Sequence, residues 1–161
     1  MSSTSEEVIS ITKRAWARAE SEAEVSPMTP AELGGFLNLL LEAERAGAKL
    51  ISAYLDELPL DSARWTGMRA VQLDEARNCA VLLHLLLEAE VTPTPAVGDF
   101  YGRGLAIRGW RERVEFLNRG QAWVAKRLAA ALPRVPENAR PALQAMLDSH
   151  VANIGSCEAL L

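Results

Sequence analysis

The chain has 161 residues and a mass of 17.5 kDa, which is enough for one sizeable hydrophobic core, and nothing in its composition requires two domains of equal standing. Apolar residues make up 49% of the chain and aromatic residues only 6%, and Leu, Ala, Glu and Arg outnumber the β-branched residues, which favours an all-α fold. A formal charge of -4 argues against nucleic-acid binding as the main function, because such proteins usually present a basic face.

The first 29 residues are predicted to be a helical extension and linker in front of a domain at residues 30–161. Residues 5–23 mix charged side chains with a few apolar ones, which is consistent with a short helix that packs along one edge. Two prolines then limit helix continuation, and Thr29 is placed to cap the next helix. Since the chain shows neither a signal-peptide pattern nor an apolar stretch of bilayer length, we expect a cytoplasmic protein without a membrane partner.

Four long helices are predicted in the domain, each with apolar residues at alternating steps of three and four. Their approximate bounds are residues 30–58, 63–90, 105–132 and 137–161. Short turns join the first two and the last two, so each pair should be antiparallel. Residues 91–104 contain two prolines and Gly98, so they cannot form one continuous helix, and they are predicted to be a crossover between the pairs.

Polar residues interrupt the apolar stripe of every predicted helix. They are Glu44 in the first helix, Glu75 and Asn78 in the second, Gln121 in the third and His150 in the fourth. A polar side chain buried among leucines costs free energy unless it finds partners. At about 1.5 Å of rise per residue, these residues lie roughly 20–25 Å from the turns of their helix pairs. The sequence therefore predicts that all five meet in one layer near the middle of a bundle.

This layout resembles the ferritin-like superfamily, which includes bacterioferritin and rubrerythrin. The resemblance covers about residues 30–161 and implies an up-down-down-up four-helix bundle with one long crossover. It also implies a di-iron centre made by one Glu on each of helices one and three and by an ExxH motif on each of helices two and four. In this sequence Glu44 and Glu75 match glutamate positions, and His150 matches the last histidine.

Three positions depart from the family's ligand pattern. Asn78 stands where the second helix should carry His, Gln121 where the third should carry Glu, and Leu147 where the fourth should carry Glu. Asn and Gln are neutral and poor metal ligands, although they form hydrogen bonds through both ends of the amide. The resemblance therefore implies a reduced form of the metal centre.

Two interpretations of function remain open. In the first, the protein is a non-catalytic helical protein, and Glu44, Glu75, Asn78, Gln121 and His150 form a buried polar cluster that offers a site for a small ligand. In the second, Glu44, Glu75 and His150 hold iron or manganese in a metal-dependent oxidoreductase that acts on oxygen or peroxide. In both, a homodimer is expected. The enzyme question is left open by the sequence.

Several residues allow other interpretations of the same pattern. Glu115 competes with Gln121 for the third-helix position, although its helical phase points towards nearby arginines. Arg77 could form a buried ion pair with Glu44. Trp123 and Phe116 could form an exposed aromatic face on the third helix that contacts another subunit.

The remaining reactive residues give no sign of a hydrolase or a zinc site. Cys79 and Cys157 lack the spacing of a disulfide framework or a zinc knuckle and are predicted to be buried thiols. His84 lies off the apolar stripe and should be on the surface. The arginines near Trp110 are interpreted as a solvated face paired with Glu112 and Glu115.

Overall fold

The computed structural model of the protein describes residues 25–161, and this part of the chain is all-α. The helices are α1 (Pro30–Asp56), α2 (Ala63–Glu88), α3 (Phe100–Leu105), α4 (Trp110–Ala131) and α5 (Arg140–Glu158), with a 3-10 turn at Leu132–Arg134. The all-α prediction is confirmed for the described residues. The predicted amino-terminal helix at residues 5–23 lies outside them.

The amino-terminal ends of α1 and α2 follow from hydroxyl caps. The Thr29 hydroxyl accepts the Glu32 N–H at 3.2 Å, and the Glu32 carboxylate accepts the Thr29 N–H at 2.8 Å, which completes a capping box. The Ser62 hydroxyl accepts the Trp65 N–H at 3.1 Å. These reciprocal bonds satisfy N–H groups that have no partner within the helix, so both helices begin where the sequence predicts.

The predicted third helix is wrong at its amino-terminal end. Instead of one helix from about residue 105, the chain forms the short α3, a break, and then α4 from Trp110. Gly104 lies so close to α1 that an added Cβ would come within 2.3 Å of a Leu50 methyl group, and its carbonyl accepts the Tyr54 hydroxyl at 2.8 Å. These contacts hold α3 against α1, and the chain must turn before α4 can begin.

The four long helices pack as two hairpins, α1 with α2 and α4 with α5, and the hairpins meet through α1 with α4 and α2 with α5. The Met28 N–H donates to the Arg134 carbonyl at 2.8 Å, and Arg113 pairs with Glu57 at 2.8 Å. The start of α1 therefore lies beside the end of α4, and the end of α1 lies beside the start of α4. At the start of α4 the Trp110 indole N–H donates to the Leu160 carbonyl at 2.9 Å, next to the end of α5.

The crossover between the hairpins is fixed along α1 by side chains of that helix. Arg45 donates to the carbonyls of Thr94 and Ala96, both at 2.8 Å. The Asn38 amide donates to the Thr92 carbonyl at 3.1 Å and accepts the Thr94 N–H at 2.8 Å. These bonds satisfy the backbone of a segment without helical structure and place it beside the groove between α1 and α4.

The apolar core has two halves. One half is centred on Leu37, Leu41, Leu82, Leu128 and Leu143, and the other on Leu50, Ile51, Met68, Val114 and Cys157. Along every long helix, the predicted polar residues fall between the residues of the first half and those of the second. The core is thus divided by a polar layer that all four long helices supply. No described helix has both the length and the apolar character that crossing a bilayer requires.

Candidate functional site

The structure brings all five predicted polar residues into the interior of the helix assembly. They are Glu44, Glu75, Asn78, Gln121 and His150, and each has at most 7% of its surface exposed. We call this set the polar layer. Glu44 lies at its centre, because one carboxylate oxygen is 2.6 Å from Nε2 of His150 and the other accepts the Asn78 amide N–H at 3.1 Å.

The His150 ring connects Glu44 to the α4 residue of the layer. Its Nδ1 lies 3.1 Å from the Gln121 side-chain oxygen, and the Gln121 amide nitrogen faces the Cys157 sulfur at 3.8 Å. The Glu44 carboxylate is an acceptor, so the Nε2–H of the imidazole donates to it. The ring nitrogen Nδ1 faces the Gln121 amide, which can accept through its oxygen or donate through its nitrogen.

Glu75 is the second acid of the layer. Burial raises the pKa of Glu75 well above its usual range, and the negative charge of Glu44 and a hydrogen bond to that carboxylate raise it further. The layer therefore favours the protonated form of Glu75, which can donate its O–H to the Glu44 carboxylate.

Space for the Glu75 carboxyl comes from a glycine on the facing helix. A Cβ added to Gly47 of α1 would lie 2.7 Å from one Glu75 oxygen, well inside van der Waals contact. The inward face of α1 therefore has no side chain at the position that the Glu75 carboxyl group of α2 occupies. Gly47 lies three residues after Glu44, so the same helix supplies the acceptor and the space.

A pocket of about 430 Å³ leads from the surface between α1 and α4 to the polar layer. Three residues of the polar layer, Glu75, Gln121 and His150, lie at its inner end. Its walls are mainly apolar and include Leu39, Ala43, Ala46, Phe116, Leu117, Trp123 and Val124. Charged side chains lie at its mouth, namely Glu42, Asp99, Arg103 and Arg119.

Aromatic residues form one wall of this pocket. Phe116 of α4 stacks on Phe100 of α3 with ring centroids 4.4 Å apart, and the guanidinium groups of Arg103 and Arg119 lie 5.7 and 5.8 Å from the Phe116 ring. The predicted exposed face of Trp123 and Phe116 is wrong, because Phe116 is buried. Trp123 is partly exposed, lines the pocket and carries Arg127 over its ring.

The structure decides two of the competing residue assignments. Glu115 is exposed on the outside of α4, so Gln121 occupies the inner position. Arg77 is exposed and pairs with Asp74 at 2.6 Å, so it is not the partner of Glu44. His84 lies on the surface beside Glu88, as predicted.

The predicted solvated arginine face is wrong for Arg113. That side chain is buried, pairs with Glu57 and lies 4.4 Å from the centre of the Tyr54 ring. Arg113 lies at the end of the core half that contains Leu50 and Val114. Its Nε–H donates to the Ile107 carbonyl in the break before α4. Of the two thiols, Cys157 is fully buried and Cys79 half-buried, and burial raises the pKa of each to about 11.

The donor set does not fit the two-metal centre that the family resemblance implies. Within residues 25–161 there is no group of three or more His, Cys, Asp and Glu side chains arranged to hold a metal ion. Both oxygens of Glu44 take part in hydrogen bonds within the layer, and the raised pKa of Glu75 disfavours the carboxylate form that a metal ligand needs. The positions that would complete the ligand set carry the amides Asn78 and Gln121 and the apolar Leu147.

The chain belongs to the family described as a domain of unknown function, DUF6306, whose model matches residues 31–159. Neither the comparison with curated proteins nor the comparison with solved structures finds a match. The family match thus covers α2 to α5, α1 from its second residue, and every residue of the polar layer.

The sequence did not predict the pocket that reaches the layer. Phe100 and Arg103 belong to the segment predicted to be a crossover, and their contribution depends on how α3 lies against α1 and α4. A Cβ on Gly120 would come within 2.5 Å of the Phe100 ring, so this glycine admits the aromatic stack. Gly47 and Gly120, which face large side chains in the structure, are the residues in the sequence that could have indicated this pocket.

Proposed function

We propose that this protein binds a small molecule in the pocket between α1 and α4, with an apolar body along the walls and a polar group at the inner end. One observation carries the proposal, namely that the pocket ends at Glu75, Gln121 and His150 rather than at apolar side chains. Mostly apolar walls with a few convergent polar groups are typical of ligand sites, and a volume of about 430 Å³ is within their usual range.

The hydrogen bonds of the layer support a binding role for its inner surface. The Gln121 amide nitrogen has only a thiol partner, at 3.8 Å, among the described residues. A thiol is a weak acceptor, so a ligand oxygen near Gln121 would be a better partner for this N–H group. The raised pKa of Glu75 favours its protonated form, and with the O–H directed at Glu44 the other oxygen is available as an acceptor. The pocket thus offers one donor and one acceptor next to each other.

We further propose that the four long helices have the ferritin-like up-down-down-up arrangement. Three contacts support this: α1 begins beside the end of α4, α4 begins beside the end of α5, and Leu160 after α5 lies against Gly67 near the start of α2. With a short turn inside each hairpin, neighbouring helices are then antiparallel all round the assembly. The layer occupies the depth at which that superfamily carries its metal centre.

Binding can be tested with N-phenyl-1-naphthylamine, a neutral aromatic probe whose fluorescence rises in apolar surroundings. We expect saturable binding to the full chain and its loss in Ala43→Phe, which fills the pocket from α1. The matched control is Ala130→Phe, at an exposed position on α4 away from the pocket, which should bind the probe normally. Circular dichroism confirms that each variant is folded. Equal binding by both variants, or none by the wild type, contradicts the proposal.

The alternative, an iron- or manganese-dependent oxidoreductase, draws support only from the nearness of Glu44 and His150 and the presence of Glu75. Binding of a cation would require Glu75 to lose its proton and Glu44 to give up its bond to His150. Metal analysis of protein purified without chelator tests it. Stoichiometric iron or manganese that both Glu75→Ala and His150→Ala abolish would replace the metal-free proposal with this one.

A further inference from the structure

Helix α2 is apolar on two opposite sides. One side packs in the core and carries the buried residues Met68, Val71, Leu82 and Leu85. The other faces outwards and carries Leu73, Ala76, Ala80, Leu83 and Leu87, which we call the outer stripe. All five are exposed in the structure of residues 25–161, with Leu87 at 74%. A helix that is apolar on both sides is usually buried on both sides, so something should cover this stripe.

The spacing of the outer stripe identifies the kind of surface that fits it. Its residues follow one another at steps of three, four, three and four, which is the repeat by which two helices pack side by side. Isolated exposed leucines need no explanation, but an unbroken run of five apolar positions over four turns, three of them leucine, does. The partner surface should therefore be another helix lying along α2.

We infer that the outer stripe is the contact between two copies of this chain, with the two α2 helices antiparallel about a two-fold axis at Ala80. The stripe is nearly symmetric about that residue, with Leu73 and Leu87 seven positions away on either side. Antiparallel pairing then places Leu73 of one copy against Leu87 of the other. It also places Leu83 of one copy beside Ala76 of the other, so that large side chains meet small ones and the helices can approach closely.

Charge also fits this pairing. Arg69 lies one turn before the stripe and Glu88 lies directly after it, so the antiparallel arrangement brings Arg69 of each copy to the Glu88 end of the other. The carbonyl end of a helix carries partial negative charge, which adds to the attraction for the guanidinium. Two equivalent contacts form by symmetry, one at each end of the stripe.

Light scattering on the full chain tests the inference through the mass in solution. The wild type should have twice the chain mass of 17.5 kDa. Leu83→Glu and Ala80→Glu should halve that mass, because the first buries a carboxylate in the contact and the second places two carboxylates on the axis. Leu60→Glu is the control, because Leu60 is 77% exposed in the turn before α2 and outside the stripe. It should remain a dimer.

A cross-link gives a second readout that does not depend on destabilising the contact. Ala80→Cys should form a disulfide between copies under mild oxidation, whereas Ala130→Cys on the outside of α4 should not. The native thiols Cys79 and Cys157 add little background, because burial raises the pKa of each to about 11 and leaves them mostly protonated. Reversing both charges, with Arg69→Glu and Glu88→Arg together, should restore a dimer that Arg69→Glu alone weakens.

Three results would overturn the inference. One is a dimer that both Leu83→Glu and Ala80→Glu leave intact, and another is the absence of an Ala80→Cys cross-link. The third is a monomeric wild type. If that monomer dimerises after residues 1–24 are removed, the outer stripe is covered by the amino-terminal segment, which contains Val8, Ile9, Ile11 and Trp16.

Discussion

Nε2 of His150 lies 2.6 Å from a carboxylate oxygen of Glu44, although the two residues are 106 positions apart in the chain and almost no surface of either is exposed. The bond joins α1 to α5, which are members of different hairpins. Both side chains have lost their hydration, so each depends on the other as a hydrogen-bond partner in the core.

His150→Ala should therefore destabilise the protein strongly, because it leaves the Glu44 carboxyl group buried without its hydrogen-bond partner. We expect a loss of about 3–5 kcal/mol in the free energy of unfolding, measured by urea denaturation. The double variant Glu44→Leu with His150→Leu should lose much less, since it removes both polar groups and leaves apolar side chains. A single variant as stable as the wild type would show that the pair does not hold the hairpins together.

The position of the polar layer could be predicted from the sequence because the helical period and the distance of each residue from its turn indicated the same residues. Helical period selected Glu44, Glu75 and Asn78 as inward-facing, and counting residues from the turns put them at matching depth. The same period gave Gln121 the inner position over Glu115, and the structure agrees. Local rules of this kind work where a helix is long and its stripe is regular.

Features that depend on how helices approach one another could not be predicted in the same way. The break between α3 and α4 comes from close packing of Gly104 on Leu50 and from the Tyr54 hydroxyl, which are contacts between residues about 50 positions apart. Burial of Arg113 likewise depends on Tyr54 in α1 and on Glu57, the residue that follows α1. Neither set of contacts produces a periodic pattern in the sequence, so helical periodicity could not predict them.

Gly47→Ala should reveal how tightly the Glu75 carboxyl is held. The new methyl group would lie 2.7 Å from a Glu75 oxygen, so the acid must move away from Glu44. We expect net destabilisation of about 1–3 kcal/mol, as for overpacked interiors. Gly35→Ala is the control in the same helix, because nothing lies within 4 Å of its added Cβ, and it should stabilise the protein by about 0.5–1 kcal/mol.

A double-mutant comparison separates the contact from the helix propensity of alanine. In a Glu75→Ala background, Gly47→Ala should no longer destabilise, since the acid it would displace is gone. If the substitution costs the same in both backgrounds, the effect comes from elsewhere on α1.

Stability should also depend on pH through Glu75. Its pKa is raised in the folded protein above the ordinary value of 4.5, so between those two values the folded state keeps a proton that the unfolded chain releases. The free energy of unfolding therefore falls as pH rises from about 4.5 towards the raised pKa. Glu75→Gln keeps a neutral side chain at every pH, so the wild type should lose stability relative to this variant over that range. Parallel profiles for the two proteins would show that Glu75 does not carry its proton in the folded state.

The mouth of the pocket should favour a ligand with an acidic group. Asp99 lies 3.8 Å from Arg103, and the Thr94 hydroxyl donates to Glu42, whereas Arg119 forms no ion pair within residues 25–161. We therefore expect 8-anilinonaphthalene-1-sulfonate, the anionic relative of N-phenyl-1-naphthylamine, to lose about two- to fivefold in affinity in Arg119→Gln, as for an exposed ion pair. The neutral probe should bind that variant as it binds the wild type.

The control variant is Arg111→Gln, which makes the same change of charge at an exposed position outside the pocket. It measures how far the net charge of the protein alone changes the binding of anions. Fluorescence titrations at low and moderate salt measure both probes, and the difference between them should shrink as salt screens the guanidinium. Equal effects of Arg119→Gln and Arg111→Gln on the sulfonate would mean that the pocket does not select for charge, while binding of the neutral probe would still locate the site.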